Sequence, residues 1–371
     1  MLAVSTAMVP QRLSRYWTVR DALDILACSM SSSSGGSLHD APLVSVVVPA
    51  YNRTRYLGAA IESALAQTYP NIEILVSDDC SKEDLHGAVV SRYTDPRVKY
   101  HRNPTNLGMG LNTWGALIRA GGKYVATLHD DDIWEPDFVA SLVAPMERDE
   151  SLSIAFCDHW VIDEAGTLNV AASDENTRTW NRHRLPAGTL RPYLEWAMVV
   201  RVVPAAMAAL FRKSAIDWND FPPEVGTFYD GWLTYLSSRT GAGAHYEPRR
   251  LTRYRVHQQS ETRSWGGGAG QLRALRQSEF CGRRYLEDAA LAGIRSTMER
   301  RYTATVVSLA VALLEQGHGE EVTELLQRAD ALVPRPLFRA MKVVPSLLPP
   351  SALQHLARFA RRLKSLVPVR R

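Results

Sequence analysis

Residues 127–136 read TLHDDDIWEP, so three adjacent aspartates, Asp130, Asp131 and Asp132, follow an apolar run and precede an Ile-Trp pair. Neighbouring carboxylates repel and raise one another's pKa, which disfavours such a cluster unless a cation or strong donors offset it. A second acid pair, Asp78 and Asp79, closes an earlier apolar run. Oxygen-rich clusters suit hard divalent ions, and Mg2+ or Mn2+ usually takes one or two carboxylates together with substrate phosphates. The chemistry on offer is metal-assisted handling of a diphosphate. A structural alternative stands beside it: acid runs at strand ends also form solvated turns or caps, with Asp132 placed before a helix near Pro136 and Asp78 or Asp79 before one after CSKED.

Elements that could position these acids are legible on either side. LVSVVVPAYN is a β-branched run stopped by Pro49, and Leu57, Ile61, Ala64, Leu65 and Thr68 then repeat at helical spacing. The same grammar continues with IEILVSDD as a strand, 84–93 as a helix, RVKYH as a short strand, 108–120 as a helix and KYVATL as a strand. Strands alternating with helices imply a mostly parallel sheet covered on both faces, with ligands at the carboxyl ends of the strands. Parallel neighbours would bring both acid clusters to one rim.

Composition narrows the classes. A chain of 371 residues that is 46% hydrophobic and 22% charged can bury a large core. Its four cysteines are widely spaced with no C-x-x-C pair, which argues against a disulfide framework or zinc ribbon and for a reducing, cytoplasmic compartment. Nothing resembles a ~20-residue membrane span or a secretory signal. Nine Lys or Arg and no acid follow Asp330, so taking nine from the overall +4 leaves the first 330 residues at −5. Such a body is a poor match for nucleic acid.

The blocks SVVVPAYNRTRYLGAAIESALAQTYPNIEILVSDDCS, NPTNLGMGLN, GGKYVATLHDDDIWEPD and FCDHWVIDEAG occur in order at matching spacing. Over roughly residues 43–260 they resemble the nucleotide-sugar half of family 2 glycosyltransferases with the GT-A fold. The resemblance implies an α/β, Rossmann-like GT-A domain at 41–270, divided into a nucleotide-sugar half (41–160) and an acceptor half (161–270). It also implies a nucleobase pocket lined by Pro49, Tyr51, Asn52 and Asp79. Tyr51 offers an aromatic face and Asp79 an acceptor for the edge of a base. Gly108 and Gly110 permit close backbone approach at a helix start, and Asn112 would be a polar contact.

The same resemblance exposes a departure. Family members commonly read Asp-x-Asp-Asp before Ile-Trp, and aligning through Ile133-Trp134 puts His129 at the first acid. On that alignment Asp131 is the chief ligand of Mn2+ or Mg2+, Asp132 supports it, and Asp130 contacts the ribose or the metal's waters; a bare D-x-D reading would choose Asp130 and Asp132. His129 is either a ligand or a structural residue. An inverting transfer also needs a base for the acceptor hydroxyl, and GTFYDGWLTYLSSR nominates Asp230, whose apolar neighbours Phe228, Trp232 and Leu233 would raise its pKa; a helix N-cap is its structural alternative. In LTRYRVHQQSET, His257 is a further metal or diphosphate ligand, and Arg253 or Arg255 would offset phosphate charge. WGGGAGQ is expected to be a flexible loop over the site. Trp180, Arg182, His183, Arg184, Trp196 and Trp218 mark the acceptor-facing region, although most such tryptophans belong to cores.

Outside this domain, 1–40 with its SMSSSSGGS tract is expected to be a flexible leader, with Met30 as an alternative start. Residues 271–371 read as helices: a hairpin turning at GHG, open to core packing or a homodimer contact, then SALQHLARFARRLKSLVP, a basic amphipathic segment. Each Lys or Arg near an anionic leaflet contributes about 1 kcal/mol, so that segment would hold the enzyme at the inner face of a membrane; packing on its own domain is the rival. The expected activity is transfer of a sugar from a nucleoside-diphosphate sugar to a glycan, lipid-linked glycan or natural-product hydroxyl. A nucleotidyltransferase or a non-catalytic nucleotide-sugar-binding protein are the alternatives.

Overall fold

The computed structural model describes residues 41–204, 206–258, 260, 268–336, 338–339 and 341. The expected leader, the Met30 start and the basic amphipathic segment at 351–368 lie outside the described residues. Two compact units divide between His257 and Gln258.

The first unit is built on one sheet: β1 (Val44–Ala50), β2 (Ile72–Asp78), β3 (Val98–Arg102), β4 (Tyr124–Thr127), β5 (Ile133–Trp134), β6 (Leu152–Ile162), β7 (Gly188–Leu190), β8 (Ala209–Arg212) and β9 (Gly243–Arg255). Its order is β3-β2-β1-β4-β8-β6-β9-β5, with β7 on β9. The four strands β3, β2, β1 and β4 run parallel, and β8 joins them antiparallel to the remainder. Central β1 is buried along its whole length, which explains its unbroken apolar reading. Burying each valine there contributes on the order of 2 kcal/mol.

Helix Thr54–Leu65 presents Leu57, Ala60, Ile61 and Ala64 to the core, the helical spacing read in the sequence. The expected helix at 84–93 splits into a single turn, Leu85–Ala88, and a 3-10 turn, Val90–Arg92. Its cap is Asp84, whose side chain accepts from Gly87 N at 2.9 Å, rather than Asp78. Helix Phe138–Arg148 begins after Asp137, so Asp132 caps nothing there.

In the second unit, helices Arg295–Glu315 and Gly319–Leu332 form the hairpin expected at GHG, each burying an apolar stripe. Of the expected glycine loop, 265–267 lie outside the described residues and 268–271 begin helix Gly268–Glu287, so that half of the stretch is helical rather than loop. The helix continues through Leu272, Glu279, Cys281 and Leu286, and burial of these residues carries the helix despite its glycines. No helix among the described residues is long and apolar enough to cross a membrane.

Candidate functional site

Because β2 and β4 both pair in parallel with β1, their carboxyl ends share one rim, and the two acid clusters leave the sheet there. They are held very differently. Asp78, fully buried, stands in register with Arg102 of β3; its Oδ2 accepts from Tyr100 Oη at 2.6 Å and Arg102 Nη1 at 2.9 Å, and its Oδ1 from Ser81 N at 2.9 Å. Asp79 accepts Leu107 N and Gly108 N, both at 2.8 Å, and the Asn103 amide at 3.0 Å. The NLG turn is thereby folded around a carboxylate. Gly108 sits at φ 84°, in the left-handed region that favours glycine, while a Cβ at Gly110 would collide with the Gly226 carbonyl. Asn112 is buried one layer below, bonded to Ser77 and Asn103.

Between the clusters, at the end of β1, Pro49 lies within the strand and Tyr51–Arg53 make a turn. Asn52, at φ 48°, donates its N–H to Ser81 Oγ at 2.9 Å and accepts from Lys82 N at 2.6 Å, which ties the turn to the end of β2. Tyr51 keeps 44% of its surface exposed, so its ring face is available to a ligand.

The loop after β4 gathers the second cluster. Arg53 Nη1 lies 2.6 Å from Asp130 Oδ1 and 2.8 Å from Asp131 Oδ2; the latter oxygen is also 2.8 Å from His257 Nε2. Asp132 Oδ1 accepts from Arg255 N at 2.9 Å. Its Oδ2 is buried and forms an ion pair with His129 Nδ1 at 3.2 Å. Burial and the charge of Asp131 push the Asp130 carboxyl up to about 7, against the opposing pull of Arg53 and His129. Burial and Asp131 likewise raise Asp132. Burial alone would lower His129, but Asp132, Asp131 and Asp230 overcome it and raise the imidazole to about 9. The field at this point draws positive charge.

Asp230 lies in the first turn of helix Tyr229–Ser238, with Trp232 and Leu233 fully buried beside it. Its pKa is raised by burial, partly offset by the Gly231 N–H, which Oδ1 accepts at 2.7 Å, and by His129. The preceding Tyr229 places its hydroxyl 2.5 Å from His129 Nε2, so the acid loop and the Asp230 helix meet through one side-chain pair.

Of the two arginines read in β9, Arg253 pairs with Glu135 at 2.7 Å away from the cluster, whereas Arg255 holds the acid loop through Asp131 O at 2.8 Å. In the expected acceptor region, Arg182 is buried against Asp158 at 3.0 Å, and Trp218 is half-buried with its ring on Trp114. Trp180 lies under the Arg201 guanidinium, 5.1 Å from centroid to carbon, and His183 and Arg184 are exposed. Sequence reading missed Arg53 and Tyr229. Arg53 directly follows the Tyr51-Asn52 pair, but its reach across 77 residues to Asp130 has no local signature.

The residues present fit a divalent cation. His129, Asp131 and Asp132 each offer a ligand atom, all within 4.8 Å of one another. Oxygen-rich ligation with one imidazole is a donor set for Mn2+ or Mg2+.

Residues 45–217 match the model "Glycosyl transferase family 2". Chondroitin synthase of Escherichia coli is 31% identical over 155 residues, 42% of this chain and 22% of that protein, so the chain spans about a fifth of its length. An uncharacterized glycosyltransferase of Haemophilus influenzae is 28% identical over 223 residues, covering 59% of this chain and 67% of its own. Among solved structures, Staphylococcus aureus TarS 1-349 in complex with UDP-GlcNAc aligns with a TM-score of 0.60 at 18% identity, over 85% of this chain and 92% of that one. The mannosyltransferase PcManGT from Pyrobaculum calidifontis, in complex with GDP-Man and Mn2+, aligns with a TM-score of 0.53 at 18% identity, over 91% and 94%. At these identities the likeness shows the fold.

Proposed function

We propose, from the premise that residues 45–217 are a family 2 glycosyltransferase domain of GT-A architecture, that the chain transfers a sugar from a nucleoside-diphosphate sugar to a hydroxyl acceptor with inversion. The observation that carries the reading is the acid loop 130–132, whose three carboxylates converge on Arg53 and His129 on the same rim as Tyr51. The two solved neighbours named above are complexes with UDP-GlcNAc and with GDP-Man and Mn2+, which supports a nucleotide-sugar donor here.

In this reading Tyr51 stacks the nucleobase while Asp79 keeps the NLG turn in place beneath it. Asp131 and Asp132, with His129 or His257, hold the cation. A divalent ion there supplies Lewis-acid stabilisation of the charge on the departing diphosphate. Asp230 accepts the acceptor's proton as its oxygen bonds the anomeric carbon and the bond from that carbon to the diphosphate breaks on the opposite face. Its raised pKa suits a base working near neutrality. Arg255 fixes the acid loop from behind through Asp131 O and Asp132 Oδ1. The acceptor is a glycan, a lipid-linked glycan or a natural product.

The test is thermal stabilisation by a panel of nucleotide sugars, with Mn2+ and with chelator, followed by transfer assays on the donor that stabilises most. A ligand at 100 times its Kd adds about 2.7 kcal/mol, which a melting curve resolves easily. Stabilisation by nucleoside triphosphates with pyrophosphate release would instead indicate a nucleotidyltransferase. Donor binding with no sugar leaving in the presence of any acceptor would indicate a binding protein.

A further inference from the structure

We propose that Arg53 is a resident counter-ion of the acid cluster that competes with the divalent cation for Asp131 and yields it only when a diphosphate arrives. The inference rests on the metal-and-diphosphate reading above and adds an order to it: cation and diphosphate bind as partners.

Three observations carry it. The Arg53 side chain is 19% exposed and those of Asp130 and Asp131 are 7% and 14% exposed, so this bridge is shielded from water, unlike a surface pair. One guanidinium nitrogen spans both carboxylates, at 2.6 and 2.8 Å, and Asp131 Oδ2 receives His257 Nε2 as well. That oxygen thus has two donors, whereas Asp132 Oδ2 faces the His129 imidazole at 3.2 Å. Finally, Arg53 occupies the position before helix Thr54–Leu65 without capping it, on the same turn as Tyr51. The turn that presents the aromatic face therefore also carries the guanidinium.

A cation entering alone must take Asp131 from Arg53 and leave a mostly buried guanidinium beside a divalent charge. A diphosphate removes that conflict, because a guanidinium binds phosphate oxygens by the same forked geometry it uses on carboxylates. Arg53 then exchanges Asp131 for phosphate, and the cation takes Asp131. Each ligand thereby favours the other, reciprocally and by the same factor.

Titration of the protein with Mn2+, read as the manganese retained with the protein on ultrafiltration, tests this without turnover. Inorganic pyrophosphate serves as the base-independent probe. The wild type should bind Mn2+ weakly alone and about tenfold more tightly with pyrophosphate, within the usual range of coupling. Arg53→Met should bind Mn2+ alone about tenfold more tightly than the wild type and lose most of the gain from pyrophosphate. Arg53→Lys keeps the charge without the fork and should fall between the two; it also carries the test if the methionine variant does not fold. Mn2+ affinity that is equal or weaker in both variants, with Asp131→Asn still abolishing binding, overturns the Arg53 role and leaves the metal site standing. Mn2+ binding that is insensitive to Asp131→Asn overturns the metal reading and this inference with it.

Discussion

Asp78-Asp79 and Asp130-Asp131-Asp132 look alike in sequence, each a run of acids closing an apolar strand, and they emerge at the same rim of one sheet. Folding gives them opposite characters. The first pair is consumed by donors: Tyr100, Arg102 and Ser81 for Asp78, and two backbone N–H groups with Asn103 for Asp79. The second is left with two carboxyls raised by burial and repulsion, an Asp132 oxygen paired with the His129 imidazole, and Arg53 bridging the remainder. A satisfied carboxylate organises a turn, whereas a surplus of carboxylates stores affinity for a cation. Acid runs are thus informative about function only through what remains in surplus.

Substitutions in each cluster should separate these characters. Asp131→Asn removes a ligand oxygen's charge, and transfer should fall by about 10^3-fold or more, the scale of several kcal/mol of lost charge stabilisation. Its melting temperature should change little, because relief of repulsion among the acids offsets the weakened pairings with Arg53 and His257; full turnover in this variant would erase the distinction. Next, Asp230→Asn should lower kcat by roughly 10^2- to 10^4-fold, the ordinary worth of a general base, with the donor's Kd unchanged. A loss in donor affinity instead would move Asp230 into the donor site.

Asp78→Ala should do the reverse of Asp131→Asn. Removing a fully buried acceptor leaves Tyr100 and Ser81 N unpaired and should cost on the order of 2 kcal/mol in chemical denaturation, while Mn2+ affinity of the folded protein stays put. Any weakening of Mn2+ binding in that variant would mean the two clusters act as one. The smallest effect concerns pH. Asp230 works deprotonated and burial raises its pKa, so activity should fall with decreasing pH starting above the usual carboxylate range. In Asp230→Asn that acid limb should vanish from the residual rate; its persistence would assign it to another group.

Much of the scaffold was readable from local pattern. The β-branched run of β1 is buried on both faces, and the spacing of Leu57, Ile61 and Ala64 marks a helix that packs on the core. The GHG turn joins two helices, as the pattern requires. These features depend on periodicity and turn chemistry, which neighbours in sequence set by themselves. Failures occurred where burial overrode composition. The glycines at 268 and 270 lie in a helix because its later residues are buried, and Arg182, read as acceptor-facing, is locked on Asp158.

The sequence alone determined that paired acids would end parallel strands and that an aromatic turn would stand nearby, because strand alternation and residue order dictate the rim. Only the tertiary structure decided which acids are spent and which are in surplus. Arg53 meets Asp130 across 77 residues, His257 meets Asp131 across 126, and Tyr229 meets His129 across 100. Hydrogen bonding and charge pairing at 2.5–2.8 Å depend on where distant segments are brought by packing, and nothing in a local window encodes that distance.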